Sequence, residues 1–201
     1  MPDGWFEYNE PQPAVGGKIY QIGIDPASEA SGTPSLTVRS VAPPDSSGLQ
    51  TVGAVHQSTV GYAGKRVRFS AQVRTEGTRG WAGLYLGAGS LALLPEVLTA
   101  HPRAEKLLPA ASAVPADGQW HDASVVLDVP ASEGSIVFGL ALVGEGQTWA
   151  RGLRFDVVGP EVAPTQTTIG IDVAKRQRTF AQNREVMAKF APAPLINATL
   201  D

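Results

Sequence analysis

The strongest constraint on the fold comes from residues 65–74, where apolar and polar side chains alternate. In an extended conformation, one side of this segment carries four apolar side chains, those of Val67, Phe69, Ala71 and Val73. The other side carries arginine, serine and glutamine side chains. A period of two with one apolar side is typical of a half-buried β-strand. The segment therefore predicts a sheet that packs one face against a core.

Eight further segments have strand-like patterns between turns rich in glycine and proline: 18–25, 36–41, 52–58, 80–86, 91–98, 120–129, 136–143 and 148–158. Pro95 interrupts segment 91–98, which is typical of an edge strand or a partly helical segment. Segment 136–143 is apolar at nearly every position, so we expect both of its faces to be covered. Residues 103–117 are expected to form a loop. About nine short strands predict an all-β jelly-roll sandwich.

The chain changes character after Pro164. Val173, Phe180 and Met187 recur at intervals of seven residues, which indicates the apolar stripe of one amphipathic helix over 172–190. We therefore divide the chain into a β-sandwich ligand-binding domain, 1–164, and a C-terminal helix with its tail, 165–201. The second part is expected to pack on the first as a lid or as an interaction element.

Composition restricts the partners and the compartment. The 201 residues include no cysteine, so neither disulfides nor thiolate chemistry are available. The net charge of −3 favours no nucleic-acid partner. No signal peptide and no apolar run of membrane-spanning length is found, so we expect a cytoplasmic protein with no membrane partner. A monomer or a homodimer is expected.

Several short motifs occur in an order that resembles a known family. They are YQIGID at 20–25, GAVHQ at 53–57, YAGKRVRF at 62–69, WAGL at 81–84, VVLDVP at 125–130, GQTW at 146–149 and FDVV at 155–158. Together they resemble the galactose-binding-like, carbohydrate-binding-module-like jelly rolls that accompany bacterial AraC-type regulators and some hydrolases. The resemblance covers about residues 5–165 and implies a jelly roll that binds a small ligand.

The chain departs from this family at two places. Such domains often carry acidic residues after the tryptophan of the last strand, where this chain has Ala150, Arg151 and Gly152. Residues 91–119 also differ from the family's usual sequence. Both departures lie where a ligand site can differ, so sugar binding does not follow directly from the resemblance.

Aromatic side chains are the first candidates for a ligand site. Trp81 and Tyr85 lie four residues apart in a predicted strand and share one face, with Gly83 between them. Two aromatic rings beside a glycine can form a platform for a sugar ring or an unsaturated carbon chain. The alternative is that Trp81 packs in the core between the sheets, as large aromatic side chains usually do.

Polar side chains near strand ends complete the predicted site. Gln147 and Trp149 share a face, and Gln57 lies near the end of another predicted strand. Amide and indole N–H groups orient ligands in apolar pockets, although they also pin loops by buried hydrogen bonds. Tyr20 belongs to an aromatic-rich N-terminal part that either covers the pocket or caps the sandwich. The predicted ligand-binding residues are therefore Trp81, Tyr85, Trp149, Gln57, Tyr20 and Gln147.

Three functions remain open at this point. The first is binding of a small sugar-like or polyketide-like ligand in a mostly apolar, aromatic-lined pocket. The second is a cofactor-independent cyclase or isomerase, in which Tyr85, Gln57 or Trp149 polarises a carbonyl while the pocket positions the substrate. The third is a structural or protein-interaction module. Because none of the three histidines has metal-ligand spacing, no metal and no cofactor are expected.

Overall fold

The computed structural model describes residues 3–9, 18–30, 32–41, 51–88 and 110–165. Within these ranges the chain forms eight strands and one short helix. In chain order they are β1 (Trp5–Asn9), β2 (Tyr20–Ile24), α1 (Pro26–Ala30), β3 (Leu36–Ser40), β4 (Val52–Val60), β5 (Arg66–Ala88), β6 (Ala110–Ala113), β7 (Trp120–Asp128) and β8 (Ser135–Val157). The strand pairs are antiparallel. The predicted all-β fold is confirmed.

The strands form one hydrogen-bonded sheet that is folded into two layers. The strands β5 and β8, each of 23 residues, pair along most of their length and take part in both layers. Layer 1 contains, in order, β1, β4, residues 135–143 of β8, residues 80–88 of β5, and β6. Layer 2 contains β2, β3, residues 147–157 of β8, residues 66–76 of β5, and β7.

The main hydrophobic core lies between the two layers. Phe138 of layer 1 packs against two rings of layer 2, with ring centroids 4.6 Å from Phe155 and 4.9 Å from Phe69. Leu84 and Leu140 of layer 1 are fully buried in the same cluster. The apolar side of the first half of β5 faces this core, as the alternation of apolar and polar residues predicted.

Both long strands bend where they pass from layer 1 to layer 2. In β8, Gly144 and Gly146 have φ angles of 88° and 117°, which side chains rarely adopt. A Cβ atom on Gly146 would lie 2.7 Å from the Cα atom of Thr78 in β5. The β5–β8 register also shifts between Glu76 and Arg79, as at a β-bulge. The glycines at which the sequence predicts strand ends therefore lie at bends within continuous strands.

The structure differs from the predicted elements in several details. The predicted strands 65–74 and 80–86 form one strand, β5, and 136–143 and 148–158 together form β8. The predicted loop 103–117 is wrong at Ala110–Ala113, which pair with β5 as β6. Strand β1 and helix α1 have no predicted counterpart. The predicted strand 91–98 and helix 172–190 lie outside the described residues, so the division into 1–164 and 165–201 stays a prediction.

Candidate functional site

Trp81 and Tyr85 lie on the outer face of layer 1, opposite the main core. They belong to a second apolar cluster, formed on this face by residues of β4, β5, β6 and β8, with Tyr8 of β1 packed against it. Both side chains are buried, with 6% of Trp81 and 1% of Tyr85 exposed. Burial also raises the pKa of the Tyr85 hydroxyl. The structure thus places Trp81 outside the interlayer core, in a buried cluster on the outer face of layer 1, and its predicted role in ligand binding stays a prediction.

A row of small residues crosses this outer face between the two aromatic side chains. The strand register places Ala113, Gly83, Ala141 and Ala54 side by side on four neighbouring strands. Trp81 lies on one side of this row and Tyr85 on the other. The indole Nε1 of Trp81 is buried and has no hydrogen-bond partner in the described part of the chain. Leaving such a donor unpaired costs about 1–3 kcal/mol.

Tyr20 lies inside the sandwich. Its ring packs over Gly53 of layer 1, where a Cβ atom would lie within 3 Å of the ring. Its hydroxyl lies 2.7 Å from the carbonyl oxygen of Thr51 and 2.8 Å from that of Gly144. The side chain is 1% exposed. Tyr20 therefore joins layer 2 to the bend of β8 and faces neither outer surface.

Gln57 lies near one end of layer 1. It stands opposite Trp5 of β1 and Phe138 of β8 in the strand register. Trp5 in turn packs edge-on against Phe138, with ring centroids 6.2 Å apart. By alternation Gln57 points to the same side of β4 as the core residue Val55. It is therefore separate from both Trp81 and Trp149.

Trp149 and Gln147 meet on the outer face of layer 2. The indole Nε1 of Trp149 donates a hydrogen bond to Oδ2 of Asp25, at 2.9 Å. The guanidinium carbon of Arg74 lies 4.7 Å from the Trp149 ring centroid, which is close enough for a cation–π interaction. The Gln147 amide donates to the Thr37 hydroxyl at 3.1 Å. These contacts hold both candidate side chains in fixed orientations beside one another.

An open cleft lies beside these two side chains. The Trp149 cleft has a volume of about 380 Å³ and is lined by Arg39, Ser40, Glu76, Gly146, Gln147 and Trp149. A neighbouring cleft of about 280 Å³ shares Arg39 and Gln147 and continues along β2 to Asp25. Volumes from about 300 Å³ upward are typical of small-molecule sites. The lining is mostly polar, in contrast to the predicted apolar pocket.

A second cleft lies further along the same face. The Gly152 cleft has a volume of about 490 Å³ and crosses β7, β5 and β8. Its polar lining residues are Arg68, Ser70, Gln72, Asp122, Ser124 and Arg154. Between the two clefts, the guanidinium carbon of Arg151 lies 4.1 Å from the ring centroid of Trp120. The outer face of layer 2 therefore carries two clefts separated by one tryptophan–arginine stack.

The six predicted site residues thus occupy four places. Trp81 and Tyr85 lie together, and so do Trp149 and Gln147, whereas Tyr20 and Gln57 each lie elsewhere. Sequence analysis did not select Arg39, although the alternation with Leu36 and Val38 in this short strand would have placed it on the outward side. Its position beside Gln147 follows from the β3–β8 register, which pairs these two residues.

No cluster of three or more metal-ligating side chains occurs within the described ranges. No helix of that part of the chain is long and apolar enough to cross a membrane.

Comparison with known sequences gives one partial relative. No protein-family model matches the chain. YbfP, an uncharacterized HTH-type transcriptional regulator of Bacillus subtilis (strain 168), is 27% identical over 146 residues. These residues are 73% of this chain and 46% of the regulator. The chain therefore spans less than half the length of this relative.

Comparison with solved structures gives likenesses of fold. The CBM22-1–GH10 modules of Clostridium thermocellum xylanase Xyn10B match with a TM-score of 0.47 at 13% identity, over 82% of this chain and 28% of theirs. The CBM22-1 xylan-binding domain of Paenibacillus barcinonensis Xyn10C matches with 0.46 at 12% identity, over 79% and 88%. The enzymatically active domain of tailspike protein 4 from bacteriophage CBA120 matches with 0.47 at 10% identity, over 78% and 20%.

Proposed function

We propose that this domain binds a sugar-like ligand in the Trp149 cleft, on the outer face of layer 2. The observation that carries the proposal is a half-buried tryptophan, held in place by Asp25 and Arg74, beside an open cleft with polar walls. The C–H face of a sugar ring packs on an indole, and its hydroxyls require hydrogen-bonding side chains around that ring. The lining of the cleft contains both an indole and hydrogen-bonding side chains.

The free hydrogen-bonding capacity of the cleft supports this proposal. Arg39 is exposed and has no hydrogen bond or ion pair in the described structure. Gln147 uses its amide N–H₂ on Thr37, and no described group donates to its carbonyl oxygen. Donors and acceptors of this kind match the alternating hydroxyls of a saccharide. An apolar polyketide-like ligand would leave them unpaired, which disfavours it at this site.

The test is calorimetric titration of the protein with a panel of neutral disaccharides and tetrasaccharides of glucose, xylose, mannose and galactose. Trp149→Ala is expected to reduce affinity for the bound sugar at least tenfold, because one stacked aromatic ring contributes about 1 kcal/mol or more beyond its buried area. Arg39→Gln should reduce the affinity for the same sugar by a smaller factor.

Trp120 provides the matched control for this experiment. It is also a half-buried tryptophan on the outer face of layer 2 with an arginine over its ring, but it lines neither cleft. Trp120→Ala should leave disaccharide affinity unchanged. Equal losses of affinity in the two variants, or unchanged affinity in Trp149→Ala, would show that the Trp149 cleft is not the sugar site. Binding of no sugar in the panel by the unmodified protein would overturn the proposal.

A second candidate site is the outer face of layer 1, and the unpaired indole N–H of Trp81 favours it. Its ligand would be an apolar molecule with one acceptor oxygen directed at the buried Trp81 Nε1. Titration with cyclic ketones should then shift the Trp81 indole cross-peak in ¹H–¹⁵N spectra. An unmoved Trp81 cross-peak across the ketone series would exclude this site.

The cyclase or isomerase alternative stays a prediction. Its three predicted donors, Tyr85, Gln57 and Trp149, lie at three separate places in the described structure.

A further inference from the structure

The arginines of the described residues divide into two groups. Seven arginines lie in the described ranges, and five of them contact a described carboxylate, carbonyl, amide or ring: Arg66, Arg68, Arg74, Arg79 and Arg151. Arg39 and Arg154 are exposed and have no such contact in the described part of the chain. Both line clefts on the same face. Arg39 belongs to the proposed sugar site, whereas Arg154 lies in the Gly152 cleft.

A β-bulge separates Arg154 from Arg151. Arg151 stands opposite Gln72 and Arg154 opposite Ser70, so two residues of β8 face the single Ala71 of β5. Gly152, in this bulge, has a φ of 62°, and a Cβ atom there would meet nothing within 4 Å. Bulges redirect side chains and often occur beside binding sites. Here the bulge leaves Arg151 stacked on Trp120 and places Arg154 in the cleft.

Hydroxyl groups stand beside Arg154. Ser70 is its partner in the register, and Ser124 is the partner of Ser70 on the other side. Neither hydroxyl has a hydrogen-bond partner among the described residues, and both line the cleft. An exposed guanidinium flanked by free hydroxyls is suited to a carboxylate, which accepts hydrogen bonds from all of them.

The other charged side chains of the cleft limit how many negative charges the ligand can carry. Arg68 lies 3.3 Å from Asp156, so part of its charge is already neutralised. Asp122 lines the β7 side of the cleft, where Gln72 donates to it at 3.4 Å. A run of phosphates would meet the Asp122 carboxylate, whereas one carboxylate placed near Arg154 avoids it. The balance favours a ligand with isolated carboxylates over a polyanion such as a nucleic acid.

We infer that the outer face of layer 2 binds an acidic oligosaccharide, whose uronic-acid carboxylate is held by Arg154 in the Gly152 cleft. This inference rests on the sugar-binding function proposed above, because the same ligand reaches both clefts. Trp149 is in register with Arg74 and Arg154 with Ser70, four residues apart along β5, or about 13 Å. The ligand is therefore an oligomer and not a monosaccharide.

The test compares neutral tetrasaccharides that carry a single uronic acid (galacturonate, guluronate or mannuronate) with their methyl esters, which keep the shape and remove the charge. Calorimetry should show that the free acid binds roughly three- to tenfold more tightly than its ester, as expected for an exposed charge-assisted contact. The preference should shrink between about 20 mM and about 500 mM salt, because salt screens exposed charges. Arg154→Gln should bind acid and ester equally, with the affinity for the ester unchanged.

Arg79→Gln is the matched control, because it removes the same charge at the bend, outside both clefts, and should keep the preference. Equal binding of acid and ester by the unmodified protein, or a preference that persists in Arg154→Gln, would overturn the inference and leave the sugar site standing. If Trp149→Ala keeps full affinity while Arg154→Gln loses the preference, the proposed sugar site fails and the carboxylate site remains. Binding of no tetrasaccharide overturns both.

Discussion

The two outer faces of the sandwich have opposite chemistry, although the same two strands run through both. In layer 1, every residue from Trp81 to Gly87 and from Ile136 to Val143 is buried. In layer 2, the outward side chains of the same strands are mainly arginine, serine, glutamine and aspartate, half-buried or exposed. One face therefore resembles a core, and the other a polar surface with two fixed tryptophans.

This difference shows that the pattern of apolar residues along a strand depends on whether one or both of its sides are buried. The first half of β5 alternates because one side meets the main core and the other meets solvent. Its second half is apolar on both sides because both sides are buried. The polar half carries the candidate clefts, since an open surface with hydrogen-bonding side chains can exchange a polar ligand with water.

The largest expected effect tests whether the outer face of layer 1 behaves as a core. Trp81→Ala should lower the free energy of unfolding by about 3–5 kcal/mol, as for other buried aromatic residues. Trp149→Ala should cost less than about 2 kcal/mol, because it removes one part-exposed hydrogen bond and one cation–π contact. Urea unfolding followed by far-UV circular dichroism measures both.

Trp81→Phe sharpens this measurement. It keeps most of the apolar area and removes an N–H group that has no described partner, so its cost should be much smaller than that of Trp81→Ala. Similar losses for Trp81→Ala and Trp149→Ala would contradict the distinction between a core-like and a surface-like face.

A smaller effect concerns the charges that hold the edge of layer 2. Arg66 donates to both carboxylate oxygens of Asp128, at 2.6 and 2.7 Å, and to the carbonyl oxygens of Pro160 and Val162. These hydrogen bonds from Arg66 hold the pKa of Asp128 below its ordinary value. A folded-state pKa below the unfolded one stabilises the fold above about pH 4, and this stabilisation is lost as the pH falls through the lower value.

Arg66→Gln should return the pKa of Asp128 to its ordinary value, and an NMR titration of the side-chain carboxyl measures it. In the unmodified protein, the amide of Thr165, which bonds to the carbonyl of Val126, should lose hydrogen-exchange protection in acid before the strands of layer 1 do. A pKa of Asp128 that is ordinary with Arg66 present would show that this ion pair does not hold the edge.

Sequence patterns predicted most of the strands because a half-buried strand leaves a period of two. They did not predict β6, since Ala110–Ala113 has no β-branched or aromatic residue and owes its conformation to pairing with β5. The glycines at the bend were also misleading. In isolation they favour a strand end, and their role in a bent, paired strand depends on the neighbouring backbone of Thr78.

The candidate site was predictable in part. Gln147 and Trp149 share a face because they are two residues apart in one strand, which the sequence contains. Their neighbours Arg39 and Asp25 come from β3 and from the end of β2, and the register that brings them together is a long-range property. The sequence did not indicate Arg154 for a similar reason. The extra residue of the bulge at Gly152 changes which side chains lie on the same face as Arg154.

The two continuous strands β5 and β8 also limit how the sandwich can move. A hinge motion that opens the sandwich would have to separate the two layers. The backbones of both strands cross from one layer to the other and oppose this motion. At the crossing, the Tyr20 hydroxyl also donates a hydrogen bond to the carbonyl oxygen of Gly144. Guest molecules are therefore expected to approach from outside the layers. Binding should change side-chain positions on one surface and leave the distance between the layers constant.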